Sequence, residues 1–145
     1  MMEKKVKYEV LNGLSVIGLG ANHDESAHPQ HLLFEKNDKR FLYACDGAWM
    51  LRDTYYYLKD QKLSLYVLDC TSGDYIGDYR MGEHNSIPMI RLMLPSLKTW
   101  GVIDENSRIY VSHLAPSLHK PHNETVEIMK EMDVNVAYDG LIVSI

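Results

Sequence analysis

Several protein classes are excluded by what this sequence lacks. No apolar run approaches the roughly 18 residues that a membrane-spanning helix requires, and residues 1–7 lead into no apolar segment of the secretory-signal kind. Lys and Arg form no cluster, and the net charge is -5. We therefore expect neither nucleic acid nor a membrane as a partner, because both attract basic surfaces.

Cysteine and phenylalanine are also scarce, with two residues of each against ten tyrosines. Cys45 and Cys70 lack C-x-x-C spacing, and each falls at or just after the end of a predicted buried strand. Reduced packing thiols are therefore favoured over a disulfide, which indicates a cytoplasmic protein. Abundant Tyr with little Phe is typical of a sheet with half-buried faces.

What is present indicates one domain over residues 1–145, because the chain is long enough to bury a core and 46% of it is hydrophobic. Short apolar runs and amphipathic stretches alternate along it. We predict strands at 6–10, 14–19, 31–35, 41–45, 63–68 and 108–112, helices at 48–61, 86–100 and 125–132, and a terminal hairpin over 134–145. This order predicts an α/β (α+β) fold with one mixed sheet.

Polar side chains stand at the ends of three predicted strands: Asp46, Asp69 and His113. In α/β folds the carboxyl ends of strands form a rim where sites are built. Two loop histidines, His23 and His84, lie at sequence positions from which they can reach the same rim. We therefore predict one shared site.

Each of these residues also has a simpler interpretation. Asp46 can cap the helix predicted after it, His23 can be a solvated loop residue, and His84 can be a loop residue without chemistry or an acid/base near a helix start. His113, directly after a strand, carries the strongest signal. The spacing of His28 and His31 fits no standard zinc motif. His119 and His122 can either form part of the same rim or be exposed, and we expect them to be exposed.

Taken together, neutral imidazoles and a carboxylate at successive sheet ends suit Zn²⁺, Mn²⁺ or Fe. A carboxylate can also bridge two ions. A two-metal site activates water and clamps an in-line phosphoryl displacement. The donor set therefore favours metal-assisted hydrolysis.

Six segments in order resemble the C-terminal half of the metallo-β-lactamase fold: A-N-H-D, Y-A-C-D-G, L-D-C-T-S-G-D, G-E-H-N-S, V-S-H-L and V-A-Y-D-G-L. Within that superfamily they are most similar to the phosphoribosyl cyclic phosphate phosphodiesterase-like hydrolases. The resemblance covers nearly the whole chain. It implies half of an αββα sandwich, a mixed β-sheet with helices packed on it.

The resemblance also implies roles for individual residues. His23 would ligate one metal, His113 a second, and Asp46 would bridge the two, with Zn or Mn as the ion. His84 would contact the scissile phosphate of a small phosphate ester and donate a proton. Asp69 would support the loop that carries His84 rather than bind metal.

The family's signature H-x-H-x-D-H, which supplies four of seven ligands, is absent from these 145 residues. We therefore expect a metal-dependent hydrolase fragment with an incomplete site, weak or inactive alone. The alternative is a non-catalytic half-domain that dimerises or complements a separate N-terminal half; a simple α/β binding domain with incidental histidines is the third interpretation. Half of a sandwich exposes an apolar face, so we predict a homodimer that buries it.

Overall fold

One mixed sheet of seven strands forms the body of the protein, in agreement with the predicted fold class. The computed structural model of the chain describes residues 2–77 and 79–145. Asp78 therefore lies outside the described residues, within the Gly- and Asp-rich stretch 69–82 that the sequence predicts to be a loop. The strands are β1 (Lys7–Leu11), β2 (Leu14–Gly20), β3 (Gln30–Lys36), β4 (Lys39–Ala44), β5 (Leu65–Asp69), β6 (Arg108–Ser112) and β7 (Asn135–Val136). Their order in the sheet is their order in the chain; β1 to β4 pair antiparallel and β4 to β7 parallel.

Three helices connect the parallel strands. α1 (Arg52–Leu58) follows β4, α2 (Ile87–Thr99) follows β5, and α3 (His122–Lys130) follows β6. Parallel neighbours need such crossovers, which return the chain to the same starting edge. The carboxyl ends of β4, β5 and β6 consequently meet at one rim, as the strand-end pattern predicts.

The core lies between the helices and one face of the sheet. One in-register row on this face crosses β2 to β5 through Ile17, Leu33, Leu42 and Tyr66. All four residues are almost completely buried. From the helices, the core takes in Leu58, Ile90, Leu94, Leu97 and Met129. The strands therefore bury every second residue beneath the helices, as a period of two requires.

The opposite face of the sheet is also apolar, but it belongs to no part of this core. We call it the open sheet face, and its partly or largely exposed members are Tyr8, Leu32, Phe34, Phe41, Tyr43, Val67 and Tyr110. Val16 and Leu65 lie on the same face but are buried. The rings of Phe34 and Phe41 stack with centroids 5.5 Å apart. Ile145 borders a cavity with these two rings, so the C-terminus reaches only part of the face.

Two helix predictions differ from the structure at the helix starts. α1 begins at Arg52, not 48, because Ala48 donates its N–H to the Asn22 carbonyl (2.9 Å) and holds this stretch against the preceding loop. The sequence makes Asn123 a plausible cap of the third helix, but α3 begins at His122 with Pro121 at its N-cap, so Asn123 lies inside the first turn. For α2 the sequence offers Ser86 or Asn85, and Ser86 is the cap, its hydroxyl accepting from the Met89 N–H.

Pro95 inside the second predicted helix indicates a kink or an early break. The break is absent, because α2 continues to Thr99 with Pro95 on its exposed side, where water can satisfy the freed carbonyl. The predicted terminal hairpin is wrong. The turn at Tyr138-Asp139-Gly140 forms, with Leu141 N–H donating to the Tyr138 carbonyl (3.0 Å). No hairpin follows from it, because β7 pairs parallel to β6 and the described residues 141–145 form no strand.

Within the described residues, every helix is too short or too polar to cross a bilayer.

α2 supplies a matched pair of leucines that tests the packing. Leu97 is 0% exposed and Leu92 is 69% exposed on the same helix. We expect Leu97→Ala to lower the free energy of unfolding by about 2–5 kcal/mol, since it leaves a cavity, and Leu92→Ala to change it by less than about 0.5 kcal/mol. Urea unfolding followed by circular dichroism measures both; similar losses in the two variants would contradict the packing described.

Candidate metal centre

Asp46 lies at the centre of a cluster of imidazoles. It stands two residues past the end of β4 with a left-handed backbone (φ 59°). Its Oδ1 is 3.3 Å from His23 Nε2, 3.7 Å from His113 Nε2 and 3.8 Å from His84 Nδ1. Leu51 occupies the N-cap of α1, so the alternative that Asp46 caps this helix is excluded.

The four residues come from four separate connections. His23 follows β2, Asp46 follows β4, His84 precedes α2, and His113 follows β6. His113 also has a left-handed backbone (φ 60°). Asp and His tolerate that conformation better than most residues, and its recurrence beyond β4 and β6, the two strands that flank β5, is typical of a functional site. The structure thus brings His23, Asp46, His84 and His113 together at one rim.

Asp69, the last residue of β5, organises the inner side of this cluster and is fully buried. Its Oδ1 accepts the backbone N–H of Thr71 (2.9 Å) and of Asn85 (3.0 Å). Its Oδ2 lies 3.2 Å from His84 Nδ1 and 3.0 Å from His113 Nδ1. Asp69 therefore contacts the His84 loop, and it also holds two of the imidazoles.

The hydrogen-bond network assigns protons to those two rings. A carboxylate oxygen only accepts, so both Nδ1 atoms facing Asp69 carry a proton. The Thr71 hydroxyl fits the same assignment, since it donates to the His113 carbonyl (2.9 Å) and lies 2.7 Å from His113 Nδ1, whose proton it can accept. Each neutral ring then has its lone pair on Nε2. Carboxylate–histidine pairs orient metal ligands in this way.

The spacing of the donor atoms fits a transition-metal site. Bonds of about 2.0–2.2 Å in a tetrahedron put neighbouring ligand atoms about 3.4 Å apart, and the Asp46 contacts with His23 and His113 are close to this value. One donor atom each from Asp46, Asp69, His84 and His113 lie within 4.8 Å of one another, as do donor atoms of a second group: His23, Glu83 and His84. The nitrogen and oxygen donors suit Zn²⁺ or Mn²⁺.

Three residues near the cluster were not predicted as site residues from the sequence: Thr71, Glu83 and Asn85. Asn85 joins two loops, because its N–H reaches Asp69 while its Nδ2 donates to the Gly47 carbonyl (3.0 Å). The only sequence signal was proximity, since Thr71 lies two residues after Asp69 and Asn85 directly after His84. Short polar residues beside strand ends are too common to identify such partners.

Other histidines do not join the cluster. His122 is exposed, as predicted, but His119 is half-buried with its Nε2 2.5 Å from the Cys70 carbonyl, so its predicted exposure is wrong. His31 is buried beneath Gly47, where a Cβ would lie 2.7 Å from the His31 ring. Glycine is therefore needed next to Asp46 because the ring occupies the space of a side chain.

Both cysteines are free, in line with the predicted thiols. Burial raises the pKa of Cys45 to about 11, and burial also raises the pKa of Cys70. Neutral thiols are poor nucleophiles. The chemistry of the site therefore rests on imidazoles and carboxylates rather than on the two thiols beside Asp46 and Asp69.

Comparison with solved structures identifies the architecture. Zn²⁺-bound PqqB from Methylobacterium extorquens aligns with a TM-score of 0.68 at 18% identity, over 99% of this chain and 55% of that one. The metallo-β-lactamase fold protein YhfI from Bacillus subtilis aligns at 0.67 and 11% identity (97% and 53%). Igni18, a metallo hydrolase from Ignicoccus hospitalis, aligns at 0.57 and 15% identity (94% and 55%).

No protein-family model and no curated sequence matches this chain. At these identities the structural likeness establishes the fold alone. The chain spans about half the length of the structures it matches. It therefore has the architecture of half a metallo-β-lactamase fold, with a possible metal-binding cluster at one rim of its sheet.

His31 predicts a pH dependence of stability. Burial lowers its pKa from 6.5 to about 4, and the opposing effect of the Asp69 charge is smaller. Between those pH values the unfolded chain binds a proton that the folded protein does not, so stability falls as the pH falls. At low pH the free energy of unfolding is lower by on the order of 3 kcal/mol for this reason.

We expect the free energy of unfolding of wild-type protein and of a His122→Ala control to fall between pH 6.5 and 4 because of His31. In the His31→Met variant this part of the fall should be absent, as measured by urea unfolding. Parallel pH profiles for His31→Met and wild type would contradict a neutral buried His31.

Proposed function

We propose that this chain is the C-terminal half of a metal-dependent hydrolase of the phosphodiesterase-like kind, acting on small phosphate esters. One observation carries the proposal: Asp46 Oδ1 lies within 3.8 Å of a nitrogen from each of three histidines that separate loops deliver to one rim. The metallo-β-lactamase architecture and a metallo hydrolase among the similar structures support it. Incidental surface histidines do not account for a buried carboxylate that holds two of them.

In this proposal His23 and His113 would hold Zn²⁺ or Mn²⁺, with Asp46 as the shared carboxylate. A bound metal would supply a Lewis acid and an activated water. His84, when protonated on both ring nitrogens, would donate its Nε2 proton to the departing oxygen of the ester, while Asp69 accepts the hydrogen bond from its Nδ1 and stabilises the charged ring. The proton donor therefore has a buried counter-charge that also fixes its orientation.

The chain alone should be a weak catalyst. Resemblance to the family assigns three of seven ligands to these residues, and H-x-H-x-D-H is absent. Another polypeptide segment would have to supply the remaining ligands. The two free, unreactive thiols are consistent with the cytoplasmic location that we propose.

Metal binding tests the site directly. We expect Asp46→Ala and His113→Ala each to weaken Zn²⁺ binding at least about tenfold, measured by calorimetric titration, since changing even indirect partners of metal ligands costs about 10–100-fold. The matched control is His122→Ala, an exposed histidine outside the cluster. A simple binding domain would take up no transition metal, and equal affinity in all variants would refute the assignment.

Hydrolysis of bis(p-nitrophenyl) phosphate with added Mn²⁺ or Zn²⁺ completes the test. We expect little turnover by the chain alone and a gain on mixing with a polypeptide that bears H-x-H-x-D-H. Vigorous turnover by the chain alone, lost in Asp46→Ala and His113→Ala, would overturn the proposed weakness but support the site.

A second candidate function, a dimerising half-domain, is favoured by the open sheet face. The chain exposes 8481 Å², whereas a monomer of 16.7 kDa exposes roughly 7,600 Å². The excess is similar to the ~800 Å² that each partner buries in a standard interface. We propose that a second copy of the chain covers this face, since a two-fold axis lets one apolar surface pack against itself.

Two tyrosines of similar exposure test the dimer. Tyr43 is 44% exposed on the open sheet face, and Tyr56 is 53% exposed on α1. By sedimentation at high micromolar concentration we expect wild type and Tyr56→Lys to be dimeric, and Tyr43→Lys to shift toward monomer because it places a charge in the interface. Monomeric wild-type protein would refute the second copy.

A further inference from the structure

A small pocket lies between α2 and the β5–α2 connection that carries His84. Its volume is about 160 Å³, and its walls include Trp49, Ser72, Tyr75, Met81, Met89 and Leu92. Apolar atoms dominate these walls, although the neighbouring cluster is made of imidazoles and carboxylates. The site therefore combines a polar centre with an adjacent apolar recess.

The pocket shares its backbone with the cluster. Ser72 directly follows Thr71, whose hydroxyl lies 2.7 Å from His113 Nδ1 and 3.3 Å from His84 Nδ1. The Ser72 N–H donates to the Asn85 carbonyl at 3.0 Å, one residue past His84. On the other side, Trp49 is three residues from Asp46. The pocket and the cluster thus share the β5–α2 connection, which carries Ser72 and His84.

Ser72 gives the pocket an unused polar group. The residue is fully buried, and its Oγ has no hydrogen-bond partner among residues 2–77 and 79–145. A buried hydroxyl without a partner is unfavourable. Because Ser72 lines the pocket, a ligand atom there would satisfy it.

The rim of the pocket is unusually apolar for a surface. Tyr75, Met81 and Leu92 are all large apolar side chains that count as exposed, and they surround the same opening. Contiguous apolar exposure marks a binding surface more often than chance. Because the pocket and the cluster share the β5–α2 connection, the substrate of the site is favoured as the occupant of the pocket.

We propose that this pocket binds the aromatic ring of an aryl or heteroaryl phosphate ester, with a polar ring atom or substituent hydrogen-bonded to Ser72 Oγ. An apolar cavity of about 150 Å³ accepts benzene, so this pocket has room for one six-membered ring. Trp49 and Tyr75 supply aromatic packing. The inference rests on the proposed function, because it identifies the substrate class of the same site.

Phosphonates test the pocket separately from catalysis, because their C–P bond resists hydrolysis. Phenylphosphonate, (3-hydroxyphenyl)phosphonate and methylphosphonate are titrated by NMR into metal-free and Zn²⁺-loaded protein. We expect both aryl ligands to bind at least tenfold more tightly than methylphosphonate in both forms. Equal affinity for phenyl and methyl ligands would overturn the pocket, even if ester hydrolysis were observed.

Two variants locate the binding. Ser72→Ala breaks no side-chain hydrogen bond among the described residues, so we expect an unchanged or higher melting temperature. Its affinity for the hydroxyphenyl ligand should fall three- to tenfold, with the phenyl ligand unaffected. Leu92→Ala should weaken both aryl ligands about threefold. The control is Ile142→Ala, an exposed apolar residue outside the pocket wall.

The outcomes separate the two hypotheses. Aryl preference in metal-free protein without any Zn²⁺ binding or hydrolysis would refute the proposed function and leave the pocket intact. Hydrolysis with equal kcat/KM for methyl and aryl esters, together with unchanged affinities in Ser72→Ala and Leu92→Ala, would refute the pocket and leave the function intact.

Discussion

The buried carboxylate of Asp69 is the constraint on which the candidate site depends. A carboxylate removed from water must be fully paired, and this one accepts hydrogen bonds from two backbone N–H groups and two imidazoles. Those partners come from the β5–α2 connection and from the end of β6. Meeting the requirement of one buried charge therefore brings His84 and His113 to the same point and fixes which nitrogen of each carries the proton.

The sheet sets where that charge can be placed. β5 lies between two parallel neighbours, so its end is flanked by the ends of β4 and β6. The chain leaves those two ends through Asp46 and His113, both of which have a left-handed backbone. The antiparallel strands β2 and β3 contribute differently, since β2 leads into the His23 loop, and His31 of β3 supports Gly47 from below. Both halves of the sheet thus position the cluster. The parallel strands carry its residues at their carboxyl ends, and the antiparallel strands contribute the His23 loop and the packing of His31 against Gly47.

Features set by local chemistry were accessible from the sequence. The strand runs, the Ser86 cap and the strand-end positions of Asp46 and His113 each depend on a few neighbouring residues. The terminal hairpin was predicted wrongly because a local turn signal competes with a parallel pairing to β6, and only the tertiary structure decides between them. The exposure of His119 was mistaken for the same reason, since its partner is the carbonyl of Cys70, 49 residues away.

Side-chain exposure across the cluster shows which part of the site this chain completes. Asp69 is 0% exposed, whereas Asp46 is 57% exposed. The inner part is held by hydrogen bonds within the chain and needs no ion for its geometry. Asp46 depends instead on contacts with imidazoles, and more than half of its side chain is exposed. If further ligands come from another segment, they must approach Asp46 from that exposed side, where it can be shared between ions without disturbing the buried network.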